Sequence, residues 1–290
     1  MSFRTVVITK QSKISYKNRF LVVKQGMDEK YIHLSEIDTV IVDSISVSIT
    51  SYLLKELSEN KINIIFCDDK HNPFGELKSF YSRHNSSKKI IAQSSWTNKK
   101  KDALWSKIVK NKITNQALLL NKLKSKNYNL VLSYVDEVKV GDKTNREGHA
   151  AKVYFNSLFG KKFVRNDSDS INSALNYGYA VLLSTINKEI VNNGYLTQLG
   201  IHHKNEFNEF NLSCDLMEPF RVIIDNFVYF NQAREFDSSY KLDIVNIFNG
   251  KFKYNSKNYT LKDVIKLYVK DTLDCLEKNI EYKGFMYYEG

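Results

Sequence analysis

The 290-residue chain carries 43 Lys and Arg against 32 Asp and Glu, a formal charge of +11, and is 42% hydrophobic with only two prolines. That length accommodates two ordinary domains or one large one, and no apolar run approaches the roughly 18 residues that a membrane span needs. Three scattered cysteines, Cys67, Cys214 and Cys275, offer neither a disulfide framework nor a thiolate zinc site, so the expectation is a reduced, cytoplasmic protein.

The chain opens on Met1 to Ile8, a strand-like run without a signal-peptide layout. Arg4–Thr9, Lys13–Tyr16, Arg19–Lys24, Tyr31–Leu34 and Thr39–Asp43 are short, rich in Val, Ile, Phe and Tyr, and separated by turn residues, which predicts strands. A helix is expected over Thr50–Asn60, with Leu53, Leu54 and Leu57 on one stripe. A buried strand at Ile62–Phe66 and a turn over Asp68 to Pro73 follow. Residues 1–81 therefore read as a small β-rich domain. Residues 82–98 read as a polar, basic connector, and 99–290 as a larger all-α catalytic domain, an α+β protein overall. In this last part Trp105, Ile108/Val109, Ile113, Ala117, Leu120 and Leu123 recur at helical steps. Similar stripes run through Asn145–Phe159, Ser170–Val191, Leu216–Phe230 and Leu261–Leu276.

The positive charge is concentrated. Between Leu77 and Asn127 thirteen Lys and Arg face one acid, Asp102, so that window carries +12 and the rest of the chain sums to −1. A block of this kind is the footprint of a polyanion binder. A solvated Lys-rich helix is the bland alternative. Trp96 and Trp105 lie in the same window, which tilts the reading toward nucleic acid. Arg83, Lys88, Lys89, Lys99, Lys100 and Lys101 are the candidate phosphate contacts. Trp105 sits on the helical stripe and is expected in the core, whereas Trp96 is a candidate for stacking on a base.

Two segments carry candidate chemistry. In Thr144-Asn145-Arg146-Glu147, the spacing fits a capping box in which Glu147 merely closes a helix start. Yet Glu147 shares a face with Ala150, Ala151, Tyr154 and Leu158, and a carboxylate facing the core needs a cation or a full set of donors. Capping and ligation are equally supported by these residues. In the second segment, Ile201-His202-His203 is followed by Asp215-Leu216-Met217-Glu218-Pro219-Phe220-Arg221. Adjacent histidines cannot easily aim at one point. Asp215 and Glu218 share a helical face or a tight turn, and Pro219 places both near a helix start, where they could be simple caps. Carboxylates and imidazole without thiolate suit Mg2+ or Mn2+, the equipment of phosphoryl transfer on a nucleic acid.

These segments resemble, in order, the motifs of the CRISPR-associated integrase family, the Cas protein numbered one. Glu147-Gly148 with Ala151 and Tyr154 matches its first acidic motif, and Asn172-x-x-Leu175-Asn176-Tyr177-Gly178-Tyr179 its tyrosine–glycine helix. Leu199-Gly200-x-x-His203 and Asp215 to Arg221 match the two that follow. Length and the last motif look most like the type II-A branch. One departure is Glu218, where some branches carry Asp. The resemblance implies that Glu147, His203 and Glu218 are metal ligands for Mg2+ or Mn2+ and that Asp215 supports them as a further catalytic acid. It also implies a prokaryotic homodimer, two of which clamp a dimer of the small second CRISPR-associated protein in a hetero-hexamer on double-stranded DNA. Type II-A adaptation partners, an effector nuclease and a ring-forming accessory protein, would accompany it. The implied reaction joins 3′-hydroxyl ends of captured DNA to a repeat by transesterification, with endonuclease activity beside it. The rivals are a structure-selective nuclease of branched DNA without integration, a non-haem iron oxygenase, and a non-catalytic DNA-binding scaffold.

Overall fold

The computed structural model describes residues 4–69, 73–77, 85–165, 167, 169–278 and 280–287. The chain divides into two compact units: Met1–Ser82 with Asp237–Asn249, and Arg83–Phe236 with Gly250–Gly290. Strands dominate the N-terminal region and helices the C-terminal region.

In the first unit the β-branched and aromatic runs form two four-stranded sheets. One has the order β1 (Arg4–Ile8), β5 (Ile37–Val42), β7 (Asn63–Cys67), β8 (Pro73–Glu76), with β1, β5 and β7 parallel. The other has the order β4 (Asp28–His33), β3 (Phe20–Gln25), β2 (Ser12–Lys17), β6 (Val47–Ile49). Helix α1 (Ser51–Glu59) starts where the Thr50 side chain accepts from the Leu53 amide, the usual work of an N-cap threonine. Its Leu53 and Leu57 join Leu21, Ile37, Val40 and Ile64 in the core. The expected strands and the helix lie within a few residues of these spans. The short β6 and β8 were not expected, and the turn read over Asp68 to Pro73 lies partly outside the described residues.

The second unit differs from an all-α domain in two respects. Lys251–Tyr254 (β9) and Lys257–Thr260 (β10) form an antiparallel hairpin, turned by Asn255 and Ser256 at positive φ. That two-residue turn and the flanking alternation are hairpin chemistry that a search for helical stripes passes over. Helix α9 (Ser238–Ile247) belongs to the first unit, where it packs against β1. The segment read as a connector contains helix α2 (Ser86–Ser94). Its Gln93 is fully buried and bonds the carbonyls of Leu196 and Leu199 at 2.8 and 2.9 Å, while its Oε1 accepts from the Leu196 amide. A buried amide of this kind needs partners on every side, so α2 is a packed element.

At the centre lies α3 (Asn98–Lys122), a 25-residue helix buried on several faces. It packs against α4 (Tyr128–Glu137), α5 (Arg146–Phe159), α8 (Arg221–Asn231) and α10 (Leu261–Lys278). Helix α6 (Ser170–Asn192) packs on α7 (Asn211–Met217), α8 and α10. The α6–α8 approach depends on Gly178, where an added Cβ would lie 2.4 Å from Ile224 Cγ2. The stretch 282–287 is strapped to α3. The Asn111 side-chain amide donates to the Phe285 carbonyl and accepts from the Phe285 amide, and Asn115 joins the Phe285 and Pro219 carbonyls to the Tyr287 amide.

Candidate active site

Glu147 stands in the first turn of α5, but not as part of a capping box. Asp142 caps the helix, accepting the Arg146 and Glu147 amides at 2.9 and 3.0 Å. Asn145, in the left-handed region at φ 51°, accepts the Gly148 amide. Thr144 Oγ1 is buried without a hydrogen bond. With the helix end satisfied by others, the Glu147 carboxylate is released from capping. It turns instead to Lys112 Nζ, 2.6 Å away in the middle of α3.

The same ammonium lies 2.5 Å from Glu218 Oε2. Glu218 occupies a 3-10 turn, Glu218–Phe220, between α7 and α8. Asp215 is therefore interior to α7, where a helix start had been expected. Pro219, which has no N–H to donate, marks the break in α-helical bonding, and Asn115 takes its carbonyl. Glu218 is only 4% exposed, and its other oxygen receives Arg221 through Nε and Nη2 at 3.0 and 2.9 Å. Toward Lys112 its Oε2 is an ion pair that lacks hydrogen-bond geometry. Burial works against the Glu218 carboxylate, but Arg221 and Lys112 overcome it and hold its pKa at about 2. Burial likewise opposes the Lys112 ammonium, and Glu218 and Glu147 more than restore it, so its pKa is raised.

His203 is built by a different device. The Asp215 carboxylate, fully buried, accepts the amides of Ile201, His202 and His203 at 2.6, 3.0 and 3.1 Å and pairs with His203 Nδ1 at 2.6 Å. Four bonds to one carboxylate fix the loop and the ring together. Gly200 makes the approach possible, since a Cβ there would meet the His203 carbonyl at 2.4 Å and Asp215 Oδ2 at 2.9 Å. The Asp215 bond raises the His203 pKa against the effect of burial, and Glu218 and Glu147 add to it. His202 stacks flat on Trp105 with ring centres 4.4 Å apart, which separates the roles of the two histidines.

The structure thus joins Glu147 to Glu218 through Lys112, and His203 to Asp215. Among the described residues no three His, Cys, Asp or Glu side chains close around one point as a metal cluster. Lys112 and Arg221 were not anticipated as site residues. Lys112 had been counted only within the basic block, although it falls on the Trp105, Ile108, Val109 stripe of α3. Behind them, Asp225 accepts hydroxyls from Tyr154 at 2.9 Å and from Tyr179, and the Arg221 guanidinium lies 4.6 Å over the Tyr179 ring. Tyr154 and Asp225 sit seven residues beyond Glu147 and Glu218, so this pair ties α5 to α8 two turns past the carboxylates.

Of the candidate phosphate contacts, Lys88, Lys99 and Lys100 are exposed. Lys89 is engaged by Glu277 and by the Tyr195 hydroxyl. Lys101 lines a cleft of about 380 Å³ with His203, Lys204 and Gly200. Lys88 and Lys100 line another of about 520 Å³, and Arg83 lies outside the described residues. Trp105 is core, 1% exposed. Trp96 is 8% exposed and packs toward Tyr195, which leaves little of it to stack on a base.

Fold and site together define a two-unit protein whose helical unit holds paired acidic and imidazole groups at helix junctions. Residues 5–235 match the family described as CRISPR associated protein Cas1. The chain is 35% identical over 229 residues to the CRISPR-associated endonuclease Cas1 of Neisseria meningitidis serogroup C (strain 8013), covering 78% of this chain and 74% of that one. It belongs to the Cas1 family. Its fold is shared with a casposase bound to integration product, at a TM-score of 0.79 and 20% identity, over 100% of this chain and 95% of that one. It is shared too with a chain of a Cas6-RT-Cas1–Cas2 complex, at a TM-score of 0.77 and 19% identity. There 98% of this chain matches 36% of that one, so this chain spans about a third of that length. Among the described residues no helix is long and apolar enough to cross a membrane.

Proposed function

We propose that this chain is a divalent-metal-dependent DNA integrase of CRISPR adaptation, with endonuclease activity on the same site. The observation that carries the reading is the convergence of Glu147 and Glu218, from separate helices, on one buried cation position.

The donors suit Mg2+ or Mn2+. Glu218 Oε2 is buried and faces the Lys112 ammonium, and two carboxylates with one imidazole are oxygen-rich donors without thiolate. With Nδ1 committed to Asp215, His203 keeps Nε2 as the nitrogen available to a ligand, the arrangement in which a carboxylate orients a metal-binding histidine. In this reading Glu147, His203 and Glu218 hold the ion. When bound, it supplies charge stabilisation for the scissile phosphate and for the attacking and leaving oxygens.

The chain's own residues do the rest. Asp215 fixes the ring and the loop behind it, Arg221 orients Glu218, and Lys101 with Lys204 offers positive charge in the cleft beside His203. Phosphate contacts of that kind hold DNA irrespective of sequence. The substrates are a captured duplex and the leader-side end of a repeat. The working form is a homodimer, paired with a dimer of Cas2, and the shared fold with a Cas1–Cas2 complex supports that partner. A type II-A setting, with its effector nuclease and accessory ring, goes with this assignment.

The test is the product made from a short duplex with 3′-hydroxyl ends and a leader–repeat plasmid, with Mn2+ and with or without the Cas2 partner. Joined strands support integration. Hydrolysed ends alone, under all these conditions, would assign a nuclease of branched DNA in its place.

A further inference from the structure

We propose that Lys112 is a resident cation: its ammonium holds the Glu147–Glu218 pair in the metal-free protein, and a divalent ion binds there by displacing it. The inference rests on the metal-binding reading above and adds a residue that the family motifs leave out.

Three observations carry it. First, position. Lys112 Nζ is 2.6 Å from Glu147 Oε1 and 2.5 Å from Glu218 Oε2. An ion at the usual ~2.0–2.2 Å from the same oxygens would overlap it, so ammonium and metal are alternatives for these atoms. Second, charge. Two carboxylates balanced by Lys112 and Arg221 form a neutral group in a largely buried place, and a further divalent ion would leave an excess that burial penalises heavily. Third, which cation yields. Arg221 is gripped through two nitrogens by Glu218 Oε1 and lies over Tyr179. Among the described residues Lys112 makes no other polar contact, and it ends a flexible four-carbon stem, the side chain suited to swing away with its proton retained.

Lys112 therefore differs from the other lysines of the basic block. Its charge is 9% exposed and spent inside the protein, where it does not serve as a phosphate contact. It prevents the Glu147 and Glu218 carboxylates from repelling each other before the ion arrives, at the cost of weaker metal affinity.

The test is Mn2+ binding to the full chain by titration calorimetry, with free Mn2+ followed by electron paramagnetic resonance and melting followed with and without the ion. Lys112→Met and Lys112→Gln are compared with wild type, and Glu218→Gln reports whether binding is at this site. Removing a competing charge a few ångströms from the ion predicts tightening by about tenfold or more in both variants. Both should melt lower than wild type without metal and gain more from Mn2+. Lys112→Gln, which keeps polar contact with the carboxylates, covers the case in which the methionine variant does not fold. Wild-type binding with equal or weaker binding in both variants would overturn the displacement and leave the metal reading standing. Binding by the variants but not by wild type supports it. Absence of binding in all folded forms would remove both readings.

Discussion

Asp215→Asn is the perturbation whose size follows most directly from the geometry. Oδ2 of Asp215 accepts the Ile201 and His202 amides, and Oδ1 accepts the His203 amide and its Nδ1. Asparagine keeps one acceptor. Replacing Oδ2 loses the Ile201 and His202 amide bonds, and replacing Oδ1 loses the His203 amide bond and turns the Nδ1 contact around, forcing the ring into the other tautomer. Each hydrogen bond to a charged acceptor contributes about 1.5–3 kcal/mol, so losing one or two of them puts the loss at ~1.5–6 kcal/mol in the helical unit. Urea unfolding of the two proteins gives that difference. Amide exchange shows whether it is local, since the Ile201, His202 and His203 amides should lose protection first. A difference below ~1 kcal/mol with those three amides still protected would refute the carboxylate as the organiser of the His203 loop.

Three further outcomes follow from the same packing. Gly200→Ala places a Cβ 2.4 Å from the His203 carbonyl, so strand joining should fall sharply while far-ultraviolet circular dichroism stays unchanged; full activity would mean that the loop yields freely. Asn115→Ala removes bonds to the Pro219 and Phe285 carbonyls and the Tyr287 amide, a loss of ~2–4 kcal/mol by unfolding that should also loosen the turn bearing Glu218. Burial pushes the Asp225 carboxyl up to about 6, against the Tyr179 and Tyr154 hydroxyls. The native state then holds this proton more tightly than the unfolded chain, with its value of ~3.9. Stability contributed by Asp225 falls as pH rises from about 4 to 6, and the full penalty, ~3 kcal/mol, is present above 6. Asp225→Asn, which does not titrate, should lack that slope, and parallel pH profiles for the two proteins would remove the effect.

The core and the motifs were legible because both are written in local spacing. Apolar stripes located α3, α6 and α10, and β-branched runs located six strands of the first unit. What could not be read was partnership across long separations. Lys112 looked like one more lysine in a basic block, and only its place among Trp105, Ile108 and Val109 marked it for burial; its partners lie 35 and 106 residues away. Thr144-x-x-Glu147 has capping-box spacing, yet the left-handed Asn145 and the Asp142 carboxylate take over the cap. The hairpin at Asn255-Ser256 was legible by its turn but lost among helical stripes. Asn111 and Asn115 carry no local mark of their role, because the stretch they hold lies some 170 residues on.

In the proposed function Glu147, His203 and Glu218 perform metal-dependent strand joining and do not merely stabilise the fold. It is tested most directly by measuring joined product and DNA affinity on the same preparations of wild type and Glu218→Gln in Mn2+. The variant is expected to bind duplex DNA with affinity close to wild type and to form no joined product. Joined product from Glu218→Gln at the wild-type rate would contradict it.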